Sequence, residues 1–448
     1  EMRERDWSSD VCSSDLFMTT FQFYLAVIIF CLTYVGIMSE KFPRTICALV
    51  GGGAMIYAGY VTQSEAFGKY IDWNTLGLLA GMMILISVVK KSGFFRVLAL
   101  WAMKRSKGSP RELLVLLSCV TAVGASLIDS VTAALLIAPM TISLCRMLKI
   151  SPVPVLVSEI LMCNVGGTAL MIGNPPNVMI GSATHLDFND FLINLAPVVV
   201  ITIIATLIGI LFIFRKELPH GHLPQEQIDA IDVMSAVEDK MIFKRSLIVL
   251  GLTIVGFVLH SRFGLQSATI AMTGGVVAML ACHINPEEAM KEVDLDTLFF
   301  FMGLFILVGG MENAGVITAI ASWGVALANG DNHLITYMIL WLSGVASAFI
   351  DNIPFTATMI PLIKDMQALM NLPHADYMWW ALATGACFGG NGTMIGASPN
   401  VIMVAIAAKE GHNISFGTFM KWCFPLMIMS LIVTSAYIEV RYFMLAGM

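Results

Sequence analysis

Two aspartates lie where an apolar chain has least reason to keep them. Asp129 stands in GASLIDSVTA and Asp351 in ASAFIDNIPFTA, each inside a long apolar region. A carboxylate at the centre of a bilayer costs about 2.5–3.5 kcal/mol even on insertion-based scales, and such acids mark ion pathways and proton relays. An acid held out of water can trade a proton for a cation. Ser130, Thr132, Asn352 and Thr356 supply neutral oxygens beside the two acids. A structural role competes with this one, because aspartate is a favoured N-cap for a helix starting just after it. One residue can do both.

A second pair of stretches offers amides on broken backbone. Asn164 to Ser182 reads NVGGTALMIGNPPNVMIGS, and Gly389 to Val401 reads GGNGTMIGASPNV, displaced by 223 residues. Pro175, Pro176 and Pro399 each remove a backbone donor and clash with the preceding turn. Gly166, Gly167, Gly173, Gly389, Gly390 and Gly396 permit the unwound chain. Broken backbone at membrane depth survives only where protein buries it or where it lines a polar cavity. Half-helix ends expose unpaired N–H and C=O groups that attract anions and cations respectively. Asn164, Asn174, Asn177, Asn391 and Asn400 are therefore candidate ligands for an ion or a small polar solute, together with the oxygens of the two hairpins. Glu159, in VLVSEILMCNVGG, is a further acid in an apolar run and a candidate proton carrier beside Asp129 and Asp351; the competing reading is a helix-end glutamate at the headgroups.

Other chemistry is sparse. The nine cysteines are scattered, with no CxxC, and read as small buried hydrophobes. His220 and His222 form the only close histidine pair and lack a third ligand, so no metal site is expected beyond a sodium ion in transit. No HExxH, GxSxG or ATP-binding motif occurs, which argues against an enzyme. No cofactor is expected other than Na+ or H+ as coupling ion, and no nucleic-acid partner.

The elements that position these residues belong to a membrane protein. The chain of 448 residues is 57% hydrophobic and 12% charged, where soluble domains run near 25% charged. Residues 1–16 are polar and resemble a translated sequencing adapter rather than a signal peptide. Sliding the remainder by 222 residues aligns Gly52-Gly53 with Gly274-Gly275, Glu65 with Glu287, Gly81 with Gly303 and Asp129 with Asp351. Two repeats follow, 20–214 and 246–441, joined by a polar linker at 215–245. Each reads as three spanning helices, a re-entrant hairpin, a broken spanning helix and a final helix. The expected fold is thus all-α and polytopic, with about 10 transmembrane helices and 2 hairpins.

Five crossings per repeat is an odd number, so the second copy must be inverted. Charge bias agrees: leaving out residues 1–16, and with the Lys90–Arg111 loop cytoplasmic, 19 lysines and arginines fall inside and only Lys69, Arg262, Lys364 and Arg441 outside. Both termini are then extracytoplasmic, in the inner membrane of a bacterium or archaeon. Ser92 to Gly108, SGFFRVLALWAMKRSKG, reads as an interfacial helix between span and hairpin.

With NVGGTALMIGNPPNV, FIDNIPFTATMIP and GGNGTMIGASPNV in place, residues 20–445 resemble the ion-transporter superfamily. Within it they resemble the group joining arsenite-pump membrane subunits, NhaD-type sodium/proton antiporters, citrate-transporter-like domains and the pigmentation P protein, and most closely the P-protein branch. The resemblance implies an inverted-repeat fold, a midplane site between hairpin tips and broken helices, alternating access, a homodimer, and a separate ATPase subunit if the chain works as an arsenite pump. It leaves the solute open. Dicarboxylate/sodium symporters of the superfamily carry Ser-Asn-Thr at the hairpin tips, whereas here the tips read IDS and IDN. Two added carboxylates oppose a multiply charged anion. Proton-coupled exchange of sodium or arsenite is the leading expectation; citrate-like symport and an anion channel are the alternatives.

Overall fold

The computed structural model describes residues 8–39, 41–218, 228, 232–372 and 374–445. His220, His222 and most of the inter-repeat linker lie outside the described residues. The described chain forms twenty α-helices and no β-strand. The first ten are α1 (Ser8–Met38), α2 (Arg44–Tyr57), α3 (Gln63–Glu65), α4 (Trp73–Lys91), α5 (Phe94–Arg105), α6 (Pro110–Leu127), α7 (Ser130–Leu148), α8 (Val153–Gly167), α9 (Pro175–Ala183) and α10 (Phe188–Ile213). The second ten are α11 (Lys240–Leu259), α12 (Ser267–Cys282), α13 (Pro286–Met290), α14 (Leu295–Asn313), α15 (Val316–Leu327), α16 (Asn332–Phe349), α17 (Asn352–Leu369), α18 (Tyr377–Gly389), α19 (Ser398–Lys409) and α20 (Phe416–Ile438).

Each helix of the first ten has a counterpart ten places on. Helices α4 and α14 both have 19 residues, α5 and α15 both 12, and α6 and α16 both 18. The breaks between them recur as well. Gly93 at φ 80° separates α4 from α5, and Gly315 at φ 74° separates α14 from α15. That left-handed conformation is open to glycine and strained for most other residues.

The hairpins are α6–α7 and α16–α17, and the broken spans are α8–α9 and α18–α19. Eight helices among the described residues are long and apolar enough to cross a membrane. That set differs from the ten expected crossings for a physical reason. It takes in the hairpin arms α6 and α7, and it omits α2, α12 and the half-helices. At 14 and 16 residues, α2 and α12 are about 21 and 24 Å long. The stretch read as an interfacial helix is α5, which buries Phe95, Ala99, Ala102 and Met103 along one face.

Two compact units cut across the repeats. One comprises residues 1–72, 295–331 and 357–373; the other comprises 73–294, 332–356 and 374–448. In the first, α2 packs on α14 at glycine level: a Cβ on Gly303 would lie 2.5 Å from the Ala48 carbonyl carbon, and one on Gly52 would lie 2.7 Å from the Gly303 carbonyl oxygen. In the second, α12 packs on α4 in the same way. A Cβ on Gly81 would lie 2.5 Å from the Ala271 carbonyl carbon, and one on Gly275 would lie 3.0 Å from the Gly81 oxygen.

These paired contacts correct the internal alignment by one residue. Gly51 and Gly274 each face a threonine hydroxyl, of Thr33 and Thr253, so Gly51-Gly52 is equivalent to Gly274-Gly275 and the proposed match through Gly53 is one residue out. A repeat search scores glycine identity, whereas the fold needs glycine at the crossing point. Gly303→Leu is therefore expected to destabilise the protein by about 1–3 kcal/mol or more, read as a lower thermal midpoint in detergent. Gly53→Leu, where a Cβ meets nothing within 4 Å, is expected to leave the midpoint within error.

Candidate functional site

The hairpin starts and both broken helices lie in the second unit. Helix α8 ends at Gly167, the chain unwinds through Thr168–Gly173, and α9 begins at Pro175. In the second copy α18 ends at Gly389 and α19 begins at Ser398. The carbonyls exposed by each break need donors, and one asparagine per break supplies them. The Asn177 Nδ2 donates to the Thr168 and Leu170 carbonyls at 2.9 and 3.0 Å. The equivalent Asn400 Nδ2 donates to those of Gly390 and Thr393 at 2.7 and 2.8 Å. Both residues are wholly buried. Their amide nitrogens, expected as solute ligands, are spent on backbone.

The two breaks are also tied to each other. Asn164 Nδ2 donates to Asn391 Oδ1 at 2.8 Å and to Asn400 Oδ1 at 2.9 Å. At the equivalent position of the other copy, Cys387 Sγ donates to Asn177 Oδ1 at 3.9 Å. Each copy thus reaches from its first half-helix to the asparagine of the other copy's second. Asn174 Nδ2 donates to the Asn164 carbonyl at 3.1 Å, and Asn391 Nδ2 to that of Leu161 at 3.3 Å. All five amide groups therefore donate to protein acceptors. The Asn164 Oδ1 is buried and has no hydrogen-bond partner among the described residues.

The hairpin tips dock on the breaks of their own repeats. The Ser130 N–H donates to the Gly173 carbonyl at 3.1 Å. In the other copy the Thr393 hydroxyl donates to the Ala348 carbonyl, and Ser398 Oγ donates to Asp351 Oδ2 at 3.3 Å. Gly173 and Gly396 make these approaches possible. A Cβ on Gly396 would lie 2.9 Å from the Ser347 oxygen, and one on Gly173 would lie 3.0 Å from that of Ala125. Gly166 and Gly389 meet the backbone of Ala122 and Gly344. Gly167 faces the Asn174 side chain, where Gly390 faces Ala397.

Both tip acids serve as caps. Asp129 Oδ2 accepts from the Thr132 N–H at 3.0 Å and the Thr132 hydroxyl at 3.2 Å, and Asp351 Oδ1 accepts from the Ile353 N–H at 3.0 Å. Capping and partial exposure coexist, since both residues are half-buried. Asp129 also sits at φ 135°, a conformation that costs a non-glycine residue of order 1–3 kcal/mol and clusters at functional sites. Ser130, Asn352 and Thr356 are buried, and the Thr356 hydroxyl donates to its own helix at the Asn352 carbonyl, 2.7 Å away. Pro175 and Pro176 open α9, and Pro399 stands in the first turn of α19.

Glu159 does not stand at the headgroups, one of the two readings of the sequence. It is wholly enclosed midway along α8, a helix buried on every side. Its Oε1 accepts from the Thr141 hydroxyl at 2.5 Å, while Oε2 has no partner among the described residues. Leu382 holds the equivalent place. Sequence reasoning missed Cys387, Thr393 and Ser398, which the structure joins to the network. The internal alignment pointed to two of them, because it sets Cys387 opposite Asn164 and Ser398 opposite Pro175.

Paired hairpins docked on paired broken helices define a membrane transporter. The chain belongs to the CitMHS citrate transporter family, whose pattern matches residues 34–385. It is 38% identical to an uncharacterized transporter of Mycobacterium tuberculosis over 94% of this chain and 99% of that one. It is 31% identical to the P protein of Homo sapiens over 94% of this chain and 60% of that one. The YdaH transporter of Alcanivorax borkumensis shares the fold at a TM-score of 0.60 and 13% identity, covering 95% of this chain and 98% of that one.

Removing the break-capping amides is expected to be costly. Asn177→Ala and Asn400→Ala each strand two buried carbonyls and should destabilise by about 2–3 kcal/mol, measured as thermal midpoint in detergent. Thr132→Val, which removes one half-buried hydroxyl, is expected to cost about 1 kcal/mol or less.

Proposed function

We propose that this chain is a secondary active transporter that works by alternating access, exchanging protons for sodium or for arsenite through the breaks and hairpin tips. The supporting observation is the donor count. All five site amides donate to protein acceptors, whereas the Asn164 Oδ1 is buried with no partner among the described residues and two carboxylates cap the tips. An anion needs donors. Helix N-termini usually provide them, but prolines occupy the first turns of α9 and α19 and have no N–H to offer.

Acceptors without donors suit a cation, or a neutral polyhydroxyl solute such as As(OH)3 that donates its own hydrogens. The enclosed Glu159 carboxyl, bonded through one oxygen, is the proton carrier in this reading, with Asp129 and Asp351 able to bind either the proton or the cation. The family's citrate label makes sodium- or proton-coupled symport of a small carboxylate the second reading. Asp129 and Asp351 weigh against it by charge repulsion. The charge bias favours the bacterial or archaeal inner membrane with both termini extracytoplasmic.

Everted vesicles carrying the full chain, with a preset proton gradient and a pH-sensitive dye, test this. Sodium or arsenite is expected to dissipate the gradient saturably, and citrate is not. Asp129→Asn and Asp351→Asn should each slow exchange by about tenfold or more, since a contact to a charged group is worth about 1.5–3 kcal/mol. Citrate-driven dissipation with inert sodium and arsenite would sink the exchange reading in favour of symport. A flux that neither saturates nor answers to an opposing gradient would mean a channel.

A further inference from the structure

A cavity of about 550 Å³ lies away from the breaks, between α5, α7 and the short turn Val233–Ala236 of the inter-repeat linker. Its size falls in the range of sites that bury most of a small ligand. Phe95, Ala99 and Leu100 of α5 and Leu136, Pro139 and Met140 of α7 make the walls apolar, while Lys90 and Arg96 line it with positive charge. We infer that this cavity binds an anionic phospholipid, with an acyl chain between α5 and α7 and the phosphate at Arg96.

Comparison of the two copies carries the argument. The fold does not require α5 to be basic: where it has Arg96, Lys104 and Arg105, the equivalent α15 has Thr318, Ala326 and Leu327. The linker turn is likewise seated only here. A Cβ on Gly93 would collide with the Ala236 carbonyl oxygen, while one on the equivalent Gly315 would meet nothing within 4 Å. Apolar walls with cations beside them match a molecule with an apolar body and an anionic head, and basic pockets beside membrane helices hold lipid headgroups.

The charges leave room for a phosphate. Arg96 Nη1 is 3.5 Å from Glu238, and the two side chains are 61% and 83% exposed, a pair too open to hold the guanidinium. An arginine fork binds phosphate through two parallel hydrogen bonds. Lys90, 2.7 Å from Glu292, is balanced by that partner, which leaves the phosphate to Arg96. The acyl chain would lie against Pro139 and Met140, midway along the hairpin arm that starts at Asp129, and so brace that arm from behind.

Native mass spectrometry of the full chain, equilibrated with equal amounts of phosphatidylglycerol and phosphatidylcholine of matched chains, tests the assignment. One phosphatidylglycerol should be retained in preference to phosphatidylcholine. Arg96→Gln, at an exposed side chain, should cut that preference about fivefold, the effect of one basic side chain at an anionic surface. Leu136→Trp should abolish retention by filling the cavity, and Lys421→Gln, an equal charge change at an exposed side chain of α20, should change nothing. Equal retention of the two lipids overturns the assignment. So does an Arg96→Gln preference that matches wild type or Lys421→Gln, and that result decides the matter even if Leu136→Trp does not fold.

Discussion

Backbone that leaves the helix inside a membrane protein must find its hydrogen bonds within the protein, because lipid offers none. Here that constraint falls on two amide groups. Asn177 and Asn400 each give both N–H bonds to carbonyls of their own break, and their remaining oxygens accept from the opposite copy. The glycines answer the same constraint, letting hairpin and break backbones approach within a few ångströms. A side chain at Gly166 or Gly389 would fill the space that the facing backbone occupies. The site is hydrogen-bonded and closely packed where it looks irregular.

Against this near-symmetric frame, the two copies differ in polarity at a few buried positions. Asn164 is matched by Cys387, Asn174 by Ala397, Pro175 by Ser398 and Glu159 by Leu382. In each pair except Pro175 and Ser398 the first copy holds the more polar residue. A scaffold needs both copies to fold alike, so selection for packing alone would leave these pairs similar. The buried oxygens of Asn164 and Glu159 that have no partner among the described residues both lie on α8, the half-helix where the two copies differ most in polarity. The strained backbone at Asp129, with no positive φ at Asp351, lies in the same copy.

Much of this was legible in the residues. Paired Pro-Asn and Gly-Gly runs in apolar segments read as breaks, and their recurrence predicted two copies of one helix order, with a hairpin and a broken helix in each, which the described helices repeat. Three things were not legible. An asparagine in a broken helix looks like a ligand whether it faces the solute or the backbone, because composition cannot say where an N–H points. The one-residue offset between α2 and α12 was hidden because a run of three glycines aligns equally well in two registers. The surroundings of Glu159 depend on α6 and α7 closing over α8, a tertiary fact with no local signal.

The same accounting bears on what the breaks can bind. Half-helices meeting in a membrane are often read as anion sites because their N-termini carry positive potential. That potential is delivered by free N–H groups, and here prolines remove some while the Asn177 and Asn400 N–H groups donate within the turn to the Asn174 and Ala397 carbonyls at 3.0 and 3.1 Å. The tips then add two carboxylates. Acceptor oxygens, with few free donors beside them, are what these breaks and tips present, and that balance is what supports the proposed preference for a cation or a neutral hydrogen-bond donor over an anion.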